Sequence, residues 1–374
     1  MIEACTRKEK KETISVGLAE RSVLTLAFYK NDSETIAQFE LGLKWAFSFL
    51  GASLEQGSWQ SAVKWKDNSF FQLDIDQLGF NQQARDYLKE LLDQFKLSEE
   101  YQVNGAIDAS RFVMCVLNNS NHYYKITGIS TSLQEFRSKY NFQDKKAGIV
   151  ESGVAFTERL IELPDRDDNI SSLAYLANEL SGSMLDSTHS TVESEVMDIM
   201  ENGQIRFGVY NTNGELIVGA DPRFSTAGKP IKCLWCHEIN LQRGFAAITA
   251  IPGYYSPTQF DSVIADNRTI LDKYRANLNP EIDYADRLQH AELEKLYFRF
   301  AEPSQKRLAA EWNMSISEVN LLLVGIPTHR HHEFPFDVDL YYRSEIQQFS
   351  PYKVLPSTPS VRETNENEPN LLGN

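Results

Sequence analysis

The stretch NDSETIAQFELGLKWAFSFLGASL, residues 31–54, is typical of a long amphipathic helix. Its apolar side chains recur every three or four residues, a spacing that places them on one helical face. These side chains are Ile36, Phe39, Leu43, Phe47 and Leu50. Ser33 is the expected N-cap, and Gly51 stands where the helix should end. The stretch therefore predicts a helix around which an N-terminal core can form.

The elements on either side of this helix predict an α+β fold. Residues 13–30, which end in VLTLAFYK, predict a strand, and NQQARDYLKELLDQF at residues 81–95 predicts a second amphipathic helix. A buried apolar run follows at residues 112–117, where we expect Cys115 to be a core residue. We therefore predict an N-terminal α/β domain over residues 13–145.

A hairpin is predicted in the middle segment, residues 146–222. The sequence QIRFGVYNTNGELIVGAD, residues 204–221, contains two strand-like runs joined through Asn213 and Gly214. An Asn-Gly pair between apolar runs is a strong signal for a tight hairpin turn.

The pattern becomes mainly helical over residues 223–345, the predicted C-terminal region. One helix there should begin at Ser256, with Pro257 in the first helical position and Gln259 completing a capping box. The tail at residues 346–374 is polar and interrupted by prolines, which predicts disorder.

Composition limits the classes of partner. The chain of 374 residues carries 52 acidic and 37 basic side chains, a net charge of −15. A nucleic-acid surface needs clustered positive charge, so we expect no nucleic-acid partner. No phosphate-binding glycine loop or Gly-x-Ser-x-Gly elbow is present. These patterns give no support to a hydrolase or transferase, and enzymatic activity stays an open question.

The sequence KPIKCLWCHEIN, residues 229–240, holds two of the four cysteines in the chain. Cys233, Cys236 and the adjacent His237 resemble the haem-attachment site of c-type cytochromes, a resemblance that covers five residues. It implies one covalent haem c, bound through thioethers to both cysteines, with His237 as the proximal iron ligand. It also implies electron transfer with a redox partner protein of unknown identity, or haem-based sensing of redox state or a gas.

The sixth iron ligand is left open by the sequence. The candidates are His290, Met314 and the three histidines of THRHHEFPF, namely His329, His331 and His332. A five-coordinate haem is equally compatible with the sequence.

Other chemistries also use a Cys-x-x-Cys pair. Thioredoxin-like proteins exchange disulfides with the first cysteine at a helix N-terminus, but Pro252 follows the pair too closely for their cis-proline loop. A zinc site takes two ligand pairs, and the second would come from residues 329–332, whose histidine spacing is unusual. A structural disulfide is the remaining alternative. Without haem, the chain would be a binding or structural lipoprotein or a thiol-disulfide oxidoreductase.

The N-terminal segment MIEACTRKEKKE, residues 1–12, predicts a leader or tether. Its start resembles the end of a bacterial lipoprotein signal, which implies lipidation of Cys5 and a longer precursor. Haem c attachment requires export. We therefore expect a periplasmic or membrane-anchored lipoprotein of the bacterial envelope, in contact with the membrane only through this anchor.

Overall fold

The structure is a computed structural model, and it combines two β-sheets with helices, which confirms the α+β class. The leader at residues 1–12, including Cys5, lies outside the described residues. No helix among the described residues is long and apolar enough to span a bilayer. The residues described are 21–30, 34–165, 167, 169–186, 188–237, 241, 247–248, 251–334, 337–356 and 368–373.

A four-stranded sheet organises the N-terminal region. Its order is β2-β3-β1-β4, and β1 pairs antiparallel with β3 and parallel with β4. Four of the five side chains of β1 are buried, as expected for the central position of an apolar strand. The strands are β1 (Val23–Ala27), β2 (Val63–Trp65), β3 (Phe70–Asp74) and β4 (Ile107–Asp108).

Helix α1 (Ile36–Phe49) confirms the helix expected within residues 31–54. Its N-cap is Thr35, whose hydroxyl accepts the Gln38 N–H, while the Gln38 side chain accepts the Thr35 N–H at 3.2 Å. Ser33, the expected cap, lies outside the described residues. Gly51 adopts a φ of +97° just after the helix, a conformation that glycine accepts without strain.

Six further helices complete the N-terminal half. Cys115 lies within α5 and is 3% exposed, which confirms its place in the core. The helices are α2 (Ser58–Ala62), α3 (Gln82–Leu97), α4 (Glu99–Asn104), α5 (Ala109–Val116), α6 (Ser120–Thr127) and α7 (Leu133–Lys139).

A six-stranded antiparallel sheet of order β10-β5-β6-β7-β8-β9 is the larger of the two. It extends across the predicted divisions at residues 145 and 222. The predicted hairpin supplies β9, but its second arm forms only isolated bridges, from Leu216 to Tyr210 and from Glu215 to Ser132. The strands are β5 (Phe142–Glu151), β6 (Arg159–Pro164), β7 (Ala174–Ser181), β8 (Ser190–Ile199), β9 (Ile205–Asn211) and β10 (Ala247–Ile248).

The remaining helices follow β9 in sequence. Helix α9 has the predicted capping box, with Ser256 as N-cap and Gln259 in the third position. The helices are α8 (Pro230–Cys236), α9 (Pro257–Arg275), α10 (Leu288–Ala301), α11 (Gln305–Glu311), α12 (Ile316–Leu322) and α13 (Arg343–Ile346). The tail at residues 346–374 was predicted to be disordered. In the structure Gln347–Phe349 is a 3-10 turn, and residues 368–373 are hydrogen-bonded to the body.

Helix α10 packs along α1 and thereby joins the two halves. The backbones approach most closely at Gly42, where a Cβ atom would lie 2.7 Å from the Glu292 carbonyl carbon and 2.8 Å from the Leu293 nitrogen. Since real Cβ contacts do not come that close, glycine is required for this packing.

Gly42→Ala should therefore destabilise the protein, although alanine normally favours a helix interior. We expect a loss of about 1–3 kcal/mol, typical of overpacking against backbone that cannot move freely. Urea unfolding followed by circular dichroism gives the change. Gly153→Ala is the matched control, because its φ is not in the positive region and a Cβ atom added there would meet nothing within 4 Å. If Gly42→Ala and Gly153→Ala had equal urea midpoints, α1 and α10 would be able to move apart and accept the added methyl group.

Candidate functional site

The Cys-x-x-Cys-His motif lies on α8, a single short helix. Lys229 is the extended N-cap residue and Pro230 occupies the first helical position, which suits proline because it has no N–H to satisfy. The His237 N–H donates to the Cys233 carbonyl at 2.9 Å and closes the last turn. One helical turn thus brings Cys233, Cys236 and His237 to the wall of the same cavity.

This cavity lies between α8, α9 and one face of the six-stranded sheet, and its volume is about 170 Å³. Most of the wall is apolar. It includes Ile149, Ile161, Tyr175, Phe207, Phe260 and Ile264. Arg159, Glu195 and Lys232 contribute charged groups. The site is therefore an apolar pocket with two thiols, one imidazole and a few charges.

The two thiols differ in exposure. Cys236 is exposed, whereas Cys233 is half-buried. Burial raises the pKa of the Cys233 thiol well above its ordinary value, and the nearby Glu195 carboxylate raises it further. Disulfide oxidoreductases instead need a lowered thiol pKa. The surroundings of Cys233 are therefore unfavourable for thiol-disulfide exchange.

The imidazole of His237 is half-buried at the end of α8. Its ring centroid lies 5.6 Å from that of Phe207 on β9, with 42° between the ring planes. An aromatic contact of this kind restricts the orientation of the histidine ring. His237 is thus held at the cavity wall by the sheet as well as by the helix.

A buried ionic cluster lies on the same face of the sheet. Arg159 Nε is 2.6 Å from a Glu179 carboxylate oxygen, and Arg159 Nη2 is 3.0 Å from a Glu195 oxygen. Glu193 lies directly opposite Glu179 on the neighbouring strand and accepts the Asp221 N–H at 2.7 Å. We call Glu179, Glu193 and Glu195 the carboxylate cluster.

Burial controls the protonation of this cluster. It raises the pKa of Glu193 to about 8, with repulsion from Glu195 and Glu179 adding to the shift. Burial also raises the pKa of Glu179 to about 7, although Arg159 opposes the change. The carboxylate cluster therefore holds at least one proton near pH 7, next to the cavity that contains the motif.

Two of the distal-ligand candidates lie among the C-terminal helices. His290 on α10 is 3% exposed, and its ring centroid lies 6.0 Å from that of Phe49. Its Nε2 atom is 3.7 Å from a Glu294 oxygen. Met314 packs against a small apolar cluster that contains Leu308. Neither residue is among those that line the cavity.

The three candidate histidines at residues 329–332 lie near the end of α10. His329 Nε2 is 2.7 Å from a Glu302 oxygen, and His331 Nδ1 accepts two backbone N–H groups at 3.0 Å. His332 is exposed. None of the three lines the cavity. The zinc alternative lacks an assembled site, because no group of three or more His, Cys, Asp or Glu side chains among the described residues could hold a metal ion.

Met197 on β8 lines the cavity, although the expected thioether ligand was a methionine that follows the motif. Met197 lies opposite Tyr175 and Phe207 on the neighbouring strands. The signal that could have found it is strand alternation, which places Glu193, Glu195 and Met197 on one face of β8.

No protein-family model, curated protein or solved structure matches the chain. The function is therefore inferred from the geometry and chemistry of the cavity.

Glu193→Gln should change how stability depends on pH. The folded chain holds the pKa of Glu193 at about 8 against an ordinary 4.5, so the folded state binds this proton more tightly than the unfolded chain. The stability that the protonated Glu193 contributes to the folded state is fully present below about pH 4.5 and is lost as the pH rises through 8. Glutamine stays neutral and can still accept the Asp221 N–H.

The variant should therefore gain about 4 kcal/mol relative to the wild type between pH 5 and pH 9, since most of the shift from 4.5 to about 8 is titrated over that range and one pKa unit corresponds to ~1.4 kcal/mol. Urea unfolding at several pH values measures the difference. The exposed Glu201→Gln is the control and should follow the wild type. If the unfolding free energies of the wild type and Glu193→Gln changed with pH in parallel, Glu193 would not be a buried, protonated side chain.

Proposed function

We propose that this chain is a mono-haem c-type protein in which Cys233 and Cys236 carry the haem through thioethers and His237 is the proximal iron ligand. The observation that supports the proposal is that both thiols and the imidazole line one apolar cavity. Covalent attachment needs this arrangement, because the two thiols must reach one edge of the porphyrin while the imidazole faces its iron.

The side chains around the motif fit a haem in chemical type. Apolar walls suit the porphyrin, and the Lys232 cation suits its carboxylates. The volume of about 170 Å³ is below the roughly 300–1,000 Å³ of pockets that enclose drug-sized ligands. The cavity as it stands would therefore take only part of the group.

The haem would supply one-electron transfer, and the protein would set the potential through axial ligation, burial and nearby charge. His237 would donate to the iron while Phe207 restricts the ring. Trp235, which is 38% exposed beside Cys236, would form part of the surface offered to a redox partner.

Met197 favours electron transfer over gas sensing within this proposal. It lines the same cavity, and a thioether is the sixth ligand in many electron carriers of this type. His290, Met314, His329, His331 and His332 stay predictions as sixth ligands. A lipid anchor at Cys5 and an envelope location also stay predictions, because Cys5 lies outside the described residues.

Haem attachment is tested by expressing the full precursor with the haem c maturation machinery and recording a pyridine haemochrome spectrum after an acidified-acetone wash. We expect a c-type α-band that survives the wash, because thioether bonds resist it. The double variant Cys233→Ser/Cys236→Ser should lose that band. Cys115→Ala should keep it, because Cys115 is a buried core residue outside the cavity.

A colourless wild-type protein, made in a strain that matures a known cytochrome, would refute the haem proposal. Thiol counting and metal analysis of that protein would then separate a disulfide from zinc.

Met197→Leu tests the sixth ligand. If Met197 binds the iron, the variant should lose the sulfur-to-iron charge-transfer band, and its midpoint potential should fall on the order of 100 mV, within the ≈0.8 V that axial ligands span. Absorption spectra and redox titration give both readouts. Met200→Leu is the matched control, because Met200 is a buried methionine that does not line the cavity. An unchanged spectrum in Met197→Leu would assign the ligand elsewhere.

A further inference from the structure

Lys229, the residue immediately before α8, forms a buried ion pair with the C-terminal segment. Its Nζ lies 2.8 Å from a Glu368 carboxylate oxygen, and the two side chains are 1% and 0% exposed. The partners are 139 residues apart in sequence. The start of the motif helix is thus tied to the far end of the chain.

The segment around Glu368 makes further bonds to the N-terminal half. The second Glu368 oxygen accepts the Ser120 N–H at 2.6 Å, and the Asn119 amide donates to the Pro369 carbonyl at 2.6 Å. The Leu371 N–H donates to His122 Nε2 at 3.3 Å. Glu368 is therefore fixed at the start of α6 while it binds Lys229.

The position of Lys229 determines the position of α8. Its backbone carbonyl accepts the Lys232 N–H at 2.8 Å and the Cys233 N–H at 3.4 Å, which begins the helix. Breaking a buried ion pair by removing one partner is strongly destabilising. Any loss of Glu368 should therefore move Lys229 towards solvent and loosen the turn that carries Cys233.

We propose that residues 368–373 form a C-terminal clasp that positions the motif helix through the Lys229–Glu368 pair and so keeps Cys233 half-buried. Lys229 and Glu368 are positioning residues, since neither lines the cavity. The clasp is independent of the haem proposal, because it acts on α8 whatever the motif binds.

The test is residue-specific alkylation of the full-length chain without cofactor. A short pulse of iodoacetamide under native conditions, followed by peptide mass spectrometry, reports Cys233 and Cys236 separately. We expect labelling of Cys233 in Glu368→Gln to rise on the order of tenfold, through local opening of α8. Labelling of the exposed Cys236 should change little. Glu345→Gln, an exposed glutamate near the same end of the chain, should behave as the wild type.

A second variant covers the case in which Glu368→Gln does not fold. Leu371→Ala weakens the packing of the clasp without leaving a buried charge unpaired, because Leu371 packs against the main core as a partly buried side chain. It should raise Cys233 labelling in the same direction but less. Circular dichroism confirms that each variant is folded. Cys233 labelling at the wild-type rate in folded Glu368→Gln or Leu371→Ala would overturn the clasp.

Discussion

Glu311 lies fully buried between the N-terminal region and the C-terminal helices, and two guanidinium groups bind its carboxylate. Arg343 spans both oxygens at 2.8 and 2.7 Å, and Arg111 reaches one of them at 3.1 Å. Arg111 in turn pairs with Glu100 at 2.7 Å. Although burial disfavours the charge, these arginines lower the pKa of Glu311 to about 2. Removing one member of such a network typically costs about 3–5 kcal/mol, so the two regions are energetically interdependent.

Because of this network, the C-terminal region predicted at residues 223–345 depends on the N-terminal region for its stability. A separate helical module would carry its own core, but α10 packs along α1, and Arg111 on α5 contributes to the site of Glu311. The cavity likewise takes its wall from a sheet that begins at β5 and ends at β10. The C-terminal helices therefore share their packing with the N-terminal region, while the wall of the cavity comes from the six-stranded sheet.

The features that the sequence predicted well are local ones. Helix α1 and the Ser256 cap depend on spacings within a few residues, which a short window contains. The six-stranded sheet was largely missed, because β8 carries Glu193 and Glu195 on a buried face where the alternation rule expects apolar side chains. Their partner Arg159 lies on β6, 36 residues before Glu195, and no local pattern connects them.

The same reasoning explains why the motif was found but its pocket was not. A five-residue motif is visible in the sequence, whereas its wall is assembled from strands and from α9, which come together only in the fold. Charged residues on the inner face of β8 break the strand pattern because they belong to a polar patch beside the cavity. Departures from local patterning are expected where a site is built. When a strand is covered on both faces, charged side chains on one face therefore indicate a cavity wall. Here Glu193 and Glu195 would have pointed to β8, and so to Met197 on the same face.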